Sequence, residues 1–200
     1  EDGAVACDHF HRFEEDLDLL VDGGFAAYRF SFSWSRLFPD GKNLNIKGLD
    51  FYKQLLDAIN SRGLRPFGTA YHWDMPQALG ALGGWTMRDN AERFGEYMGF
   101  IARNFGENLE NLVSINEPWC VAWLSHYLGE HAPGLRDLNS AVKASHFVCL
   151  GHGLGVQAAR AETKKPIGVV LNFTPGRMAN DSDSNISALE QYEAIINTWY

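Results

Sequence analysis

Basic residues are few and scattered: 17 Lys and Arg stand against 25 Asp and Glu, for a formal charge of −8. With no basic stripe to neutralise phosphates, the balance argues against nucleic acid or an anionic membrane as a main partner. No apolar run reaches the ~20 residues that a membrane helix needs. Cysteine is sparse as well. Cys7, Cys120 and Cys149 lie far apart without metal-type or redox-type spacing, each in a context that reads as buried or semi-buried. A reduced, cytoplasmic compartment is the simplest expectation. No signal peptide is evident, and the chain opens in mid-pattern without an initiator Met. What is present, 46% hydrophobic and 21% charged residues over 200 positions, suits one soluble domain with a real core, residues 1–200.

Helices and strands alternate along it. Phe13, Leu17, Leu20 and Val21 fall at helical spacing between His11 and Val21, and Gly23-Gly24 stops them. From Phe25 to Trp34 large aromatics alternate with Arg29, Ser31 and Ser33, which predicts a strand with two different faces. The aromatics would cover helices, and an inward Arg29 needs an anion nearby. Leu49 to Ile59 marks a second helix. Pro66 to Trp73 then predicts a strand placing Gly68, Ala70 and His72 on one side and Phe67, Thr69 and Tyr71 on the other. A helix over Ala91–Phe105, a strand ending at Glu117, a long helix from about Ser140 to Thr163, a strand Ile167–Phe173 and a helix Ser187–Trp199 complete the order.

Strict alternation calls for a parallel sheet with crossover helices. Polar or aromatic groups follow every strand, at Ser33-Trp34-Ser35, His72-Trp73-Asp74, Asn116-Glu117 and Asn172. A site fed from several strand C-termini is the habit of the (β/α)8 TIM barrel. A dinucleotide-binding sheet would instead need a Gly-rich turn after its first strand, and none is present. Four strands make half of a barrel of eight.

The chemistry concentrates at Ile115-Asn116-Glu117-Pro118-Trp119. Proline biases the preceding residue toward extended geometry, which predicts a restricted direction for the Glu117 carboxyl. A lone Glu-Pro is usually a surface loop. Flanked by an amide and an indole, Glu117 becomes a proton donor suited to a sugar, whose flat apolar face stacks on aromatics while its hydroxyls take directional hydrogen bonds. His146 and His152, six apart on one helix, do not share a face and read as structural. The acidic run Glu14-Glu15-Asp16 reads as charge complementing a helix start.

Taken together, Ala6-Cys7-Asp8-His9-Phe10-His11-Arg12, Tyr28-Arg29-Phe30-Ser31-Phe32-Ser33-Trp34, Tyr71-His72-Trp73-Asp74-Met75-Pro76, Gly83-Gly84-Trp85 and Asn116-Glu117-Pro118-Trp119 resemble family 1 of the glycoside hydrolases, the retaining β-glucosidase family. The resemblance covers essentially all of the chain but about half of the family's barrel, helix 1 through strand 5 and the following helix. It implies an enzyme acting on β-glucosides or oligosaccharides without a cofactor. Glu117 is implied as the general acid/base, Asn116 as donor to the sugar 2-hydroxyl, and His72 as partner of the 3-hydroxyl with Trp73 beside it. Arg29 is implied as the cation near the nucleophile carboxylate, and Trp119, His131 and Asn172 as leaving-group-side positions. The family's first strand, with a sugar-binding Gln, would lie upstream of Glu1. Its nucleophile, in a Thr-Glu-Asn-Gly motif, would lie downstream of Tyr200. Trp73, often Phe in the branch acting on phosphorylated sugars, leans toward an unphosphorylated substrate.

Two other classes compete. His9-Phe10-His11 has the His-x-His spacing of metal-dependent barrel hydrolases, but only the weak strand Ala4–Asp8 precedes it. A catalytically inactive carbohydrate-binding or structural half-barrel, lacking the nucleophile, would keep the same motifs.

Overall fold

The structure, a computed structural model, describes residues 5–200. Four parallel strands, β1 (Ala27–Ser31), β2 (Arg65–Tyr71), β3 (Asn111–Asn116) and β4 (Ile167–Val170), lie side by side in chain order. Between them run α1 (His9–Asp22) before β1, α2 (Trp34–Leu37) and α3 (Ile46–Ser61) before β2, and α4 (Gln77–Ala81) and α5 (Arg88–Phe105) before β3. A π-helix (Cys120–Leu128) and α6 (Leu138–Glu162) precede β4, and α7 (Asp183–Ile196) follows. The weak strand read over Ala4–Asp8 falls partly outside the described residues, and Val5–Asp8 form no strand.

The core lies between the sheet and the helices. Phe30 and Phe32 point into it, where Phe32 meets Tyr52 of α3 and Phe105 of α5 at ring-centroid distances of 4.8 and 5.0 Å. Each such buried side chain contributes roughly 1.5–3 kcal/mol of hydrophobic stabilisation. Arg29 and Ser31, on the opposite face of β1, are exposed. Gly68 of β2 is small by necessity, since a Cβ there would sit 2.9 Å from Phe32 and 3.0 Å from Leu109.

Several expected boundaries shift. The first strand stops at Ser31 because Ser33 caps a short helix, its Oγ accepting from the Arg36 N–H at 3.2 Å. That helix turns Trp34 into the core, stacked on Tyr97 at 5.1 Å. The last strand is four residues long and ends before Asn172. α1 starts at His9, so Glu14, Glu15 and Asp16 sit beyond its first turn and pair instead with Arg62 (2.7 Å), Arg12 (2.8 Å) and His9 (2.6 Å). Of the cysteines only Cys120 is buried, whereas Cys7 and Cys149 are exposed. Among the described residues no helix is long and apolar enough to cross a membrane.

Candidate active site

The strand C-termini bring the chemistry together because two strands lose their regular alternation there. In β2, Thr69 faces Arg29, yet Tyr71, two residues on, packs edge-on against Trp34, Trp85 and Phe94. His72 therefore lines, with Arg29 and Thr69 and beside the core residues Phe30, Tyr52 and Leu55, a cavity of about 320 Å³ that Gly68 does not reach. The expected grouping of His72 with Gly68 fails because the chain leaves the strand at Tyr71. In β3, Ser114 points at α6, its hydroxyl 2.7 Å from His152 Nδ1. A register shift between Val113 and Asn116 turns Asn116 to the other face. There Asn116, only 3% exposed, accepts a hydrogen bond from Arg29 Nη2 at 2.6 Å.

Among the described residues no carboxylate pairs with Arg29. Its partners are the neutral oxygens of Asn116 and Thr69, the latter accepting from Nε at 3.0 Å, and the rest of its guanidinium faces open space. Among the described residues this face of β1 is exposed.

Glu117 follows Asn116 and is half-buried. Its φ is 50°, left-handed rather than extended as the following proline suggested. The surroundings override the proline because both backbone groups of Glu117 are held: its N–H donates to the Val170 carbonyl at 2.8 Å, and its own carbonyl accepts from Val121 N–H at 3.2 Å. A non-glycine residue held there costs about 1–3 kcal/mol. Trp73 shares the feature, with φ 79°. Its indole N–H donates to the Asn116 carbonyl at 2.9 Å, tying the two strand ends together, and its 39% exposed ring leans on His131 at 4.8 Å.

Electrostatics tune the neighbours. Burial and the positive charge of Arg29 hold His72 below its ordinary value, opposed by the negative charge of Glu117. The ring is thus neutral near pH 7, with one nitrogen to donate and one to accept. Burial pushes Asp74 up to about 6, against the Ser33 hydroxyl and the Arg36 charge, and its Oδ1 has no hydrogen-bond partner among the described residues. Burial and the Glu117 carboxylate raise the Cys120 thiol to about 12, so it keeps its proton and donates to Glu117 Oε2 at 3.3 Å.

Arg29, His72, Trp73, Asn116, Glu117 and His131 therefore form one connected group. Trp119 and Asn172 stand apart from it, sharing a small cleft with Ile196 and Tyr200 near α7, where the Trp119 indole N–H donates to the Ile195 carbonyl at 3.1 Å. Thr69 and Cys120 escaped the sequence reading. Cys120 could have been found from its spacing, three residues beyond Glu117 at a helix start. Nothing local singles out Thr69. The histidines of His9-Phe10-His11 take separate partners, Asp16 at 2.6 Å and Asp8 at 2.7 Å, and no cluster of three metal-type ligands occurs among the described residues.

A parallel β/α sheet with an acid, an amide, an imidazole and indoles at its C-terminal edge defines the class, half of a barrel of the glycosidase type. The family model described as glycosyl hydrolase family 1 matches residues 1–200, and the chain belongs to that family. It is 44% identical to a β-glucosidase of an Agrobacterium species over 191 residues, covering 94% of this chain and 42% of that protein. The AHE enzyme from Alicyclobacillus herbarius superposes with a TM-score of 0.97 at 46% identity, over 99% of this chain and 45% of its own. The virulence factor SghA, solved with its substrate analogue salicin, matches with a TM-score of 0.97 at 43% identity, over 100% of this chain and 44% of its own. The chain spans less than half the length of these relatives, and as their counterpart it is about half of a TIM barrel.

Proposed function

We propose that residues 1–200 are the acid/base-bearing part of a retaining β-glycosidase of the β-glucosidase type, acting on terminal β-linked glucose or a related unphosphorylated sugar without a cofactor. The observation that carries the reading is the continuity of Glu117 with Asn116, His72 and Trp73 at the ends of β2 and β3. Glu117 protonates the glycosidic oxygen as the bond to the anomeric carbon breaks, then takes a proton from the incoming water. Asn116 holds the 2-hydroxyl and neutral His72 the 3-hydroxyl. Trp73 offers its exposed ring to the sugar face. His131, its ring tilted against Trp73, borders the leaving group, with Trp119 and Asn172 farther out. The attacking carboxylate, beside Arg29, would come from outside these residues.

In the full-length protein, Glu117→Gln should slow hydrolysis of poor leaving groups ~10²–10⁴-fold while sparing glycosylation by activated aryl β-glucosides. Equal slowing of glycosylation with both substrates would refute the assignment. The non-enzymatic reading rests on Asp74, the carboxyl nearest the group in sequence, being half-buried with its Oδ1 out of solvent and under the influence of Ser33 and Arg36, and so unavailable for attack. Wild-type protein that binds glucosides without turning any over would favour it.

A further inference from the structure

We infer that Thr69 and Arg29 are positioning residues that fix the side-chain amide of Asn116, one from each of three adjacent strands, so that its NH2 end rather than its oxygen is presented to the substrate. This rests on the proposed role of Asn116 at the sugar 2-hydroxyl, which leaves open why an amide with two unlike ends should face the right way. A guanidinium can only donate. Arg29 Nη2 lies 2.6 Å from Asn116 Oδ1, so the oxygen end is turned to the guanidinium and the nitrogen end points away from it toward another partner. The reverse orientation would set two donors against each other.

Arg29 is a long, flexible, exposed side chain that loses rotamer freedom in serving this purpose. Its Nε is anchored at 3.0 Å to the hydroxyl of Thr69, which is 0% exposed on the neighbouring strand. The sheet register pairs Ser31 with Thr69 and Arg29 with Phe67, so the guanidinium reaches along β2 toward its C-terminal end. The shift in β3 brings Asn116 to meet it. The Asn116 backbone is clamped separately, its carbonyl accepting the Trp73 indole N–H at 2.9 Å. The backbone is thus held from the segment after β2 and the side chain from β1, which confines the amide.

The test reads the ratio of kcat/KM for an aryl β-glucoside to that for the matching 2-deoxyglucoside in the full-length protein, since intrinsic reactivity differences cancel between variants. Asn116→Ala should lower this ratio ~10²-fold. Arg29→Met should lower it by about tenfold or more and Thr69→Val a few-fold, with Arg29→Lys partly restoring it. Combining Arg29→Met with Asn116→Ala should lower the ratio no further than Asn116→Ala alone. If Arg29→Met slows both substrates equally and adds fully to Asn116→Ala, Arg29 serves another group and the inference is wrong. Crystal structures of wild type and Arg29→Met decide the point without any turnover. Asn116 leaving its rotamer or flipping its amide in the variant supports the inference, and Asn116 unmoved overturns it. A wild type inactive on both substrates would count against the proposed function, while the crystallographic arm would still decide the positioning role.

Discussion

At the scale of single residues, Asp74 carries an internal cost. Its carboxyl titrates at about 6 in the folded protein against an ordinary value of 3.8, because burial outweighs the help of Ser33 and Arg36. Between pH ~4 and ~6 the folded state therefore holds a proton that the unfolded chain has released, and stability falls as pH rises through that window. Above it the deficit is complete, on the order of 2–3 kcal/mol. Asp74→Asn should flatten this part of the stability curve and raise stability above pH 7, as read by urea unfolding at pH 4.5 and 7.5. An unchanged slope would assign the dependence to other groups. Glu117, Asn116, His72 and Trp73 were legible because they are unusual residues at strand ends. The left-handed backbone of Glu117 was not, since the hydrogen bonds that impose it come from Val170 and Val121.

At the scale of elements, α5 and α6 pack closely because α6 offers glycines on one face. A Cβ on Gly155 would lie 2.7 Å from Met98 Cγ, and one on Gly151 3.0 Å from the Trp85 ring, whereas one on Gly153 would meet nothing within 4 Å. Gly155→Ala should then destabilise by about 1–3 kcal/mol through overpacking. Gly153→Ala should stabilise by about 0.5–1 kcal/mol, because alanine loses less backbone entropy in a helix. Urea midpoints of the two variants against wild type should move in opposite directions, and a shift of the same sign in both would contradict this packing. Elements of strong period were legible to within a few residues. The π-helix over Cys120–Leu128 was not, having no amphipathic stripe and being held in part by Val121 N–H on the Glu117 carbonyl.

At the scale of the whole molecule, β1 and β4 stand at the edges of an open sheet, and the face bearing Arg29 and Ser31 is exposed. Parallel strands are normally buried on both faces, and unpaired edges invite further strands. The 200-residue chain expressed alone is therefore expected to self-associate on size-exclusion chromatography. It should also show no turnover of an activated aryl β-glucoside, because the proposed retaining chemistry needs two carboxyl groups ~5–5.5 Å apart. A monomer whose turnover is abolished by Glu117→Gln would contradict both expectations and require a second carboxylate among these residues.

The sequence by itself determined the alternation of helices and strands, the half-barrel and the identity of the groups at the strand ends, because periodicity and residue type are local properties. Only the tertiary structure decided which way those groups point. The break after Tyr71, the shift before Asn116 and the left-handed turn at Glu117 each override a local preference. Hydrogen bonds and packing from residues dozens of positions away outweigh the few kcal/mol that such preferences represent.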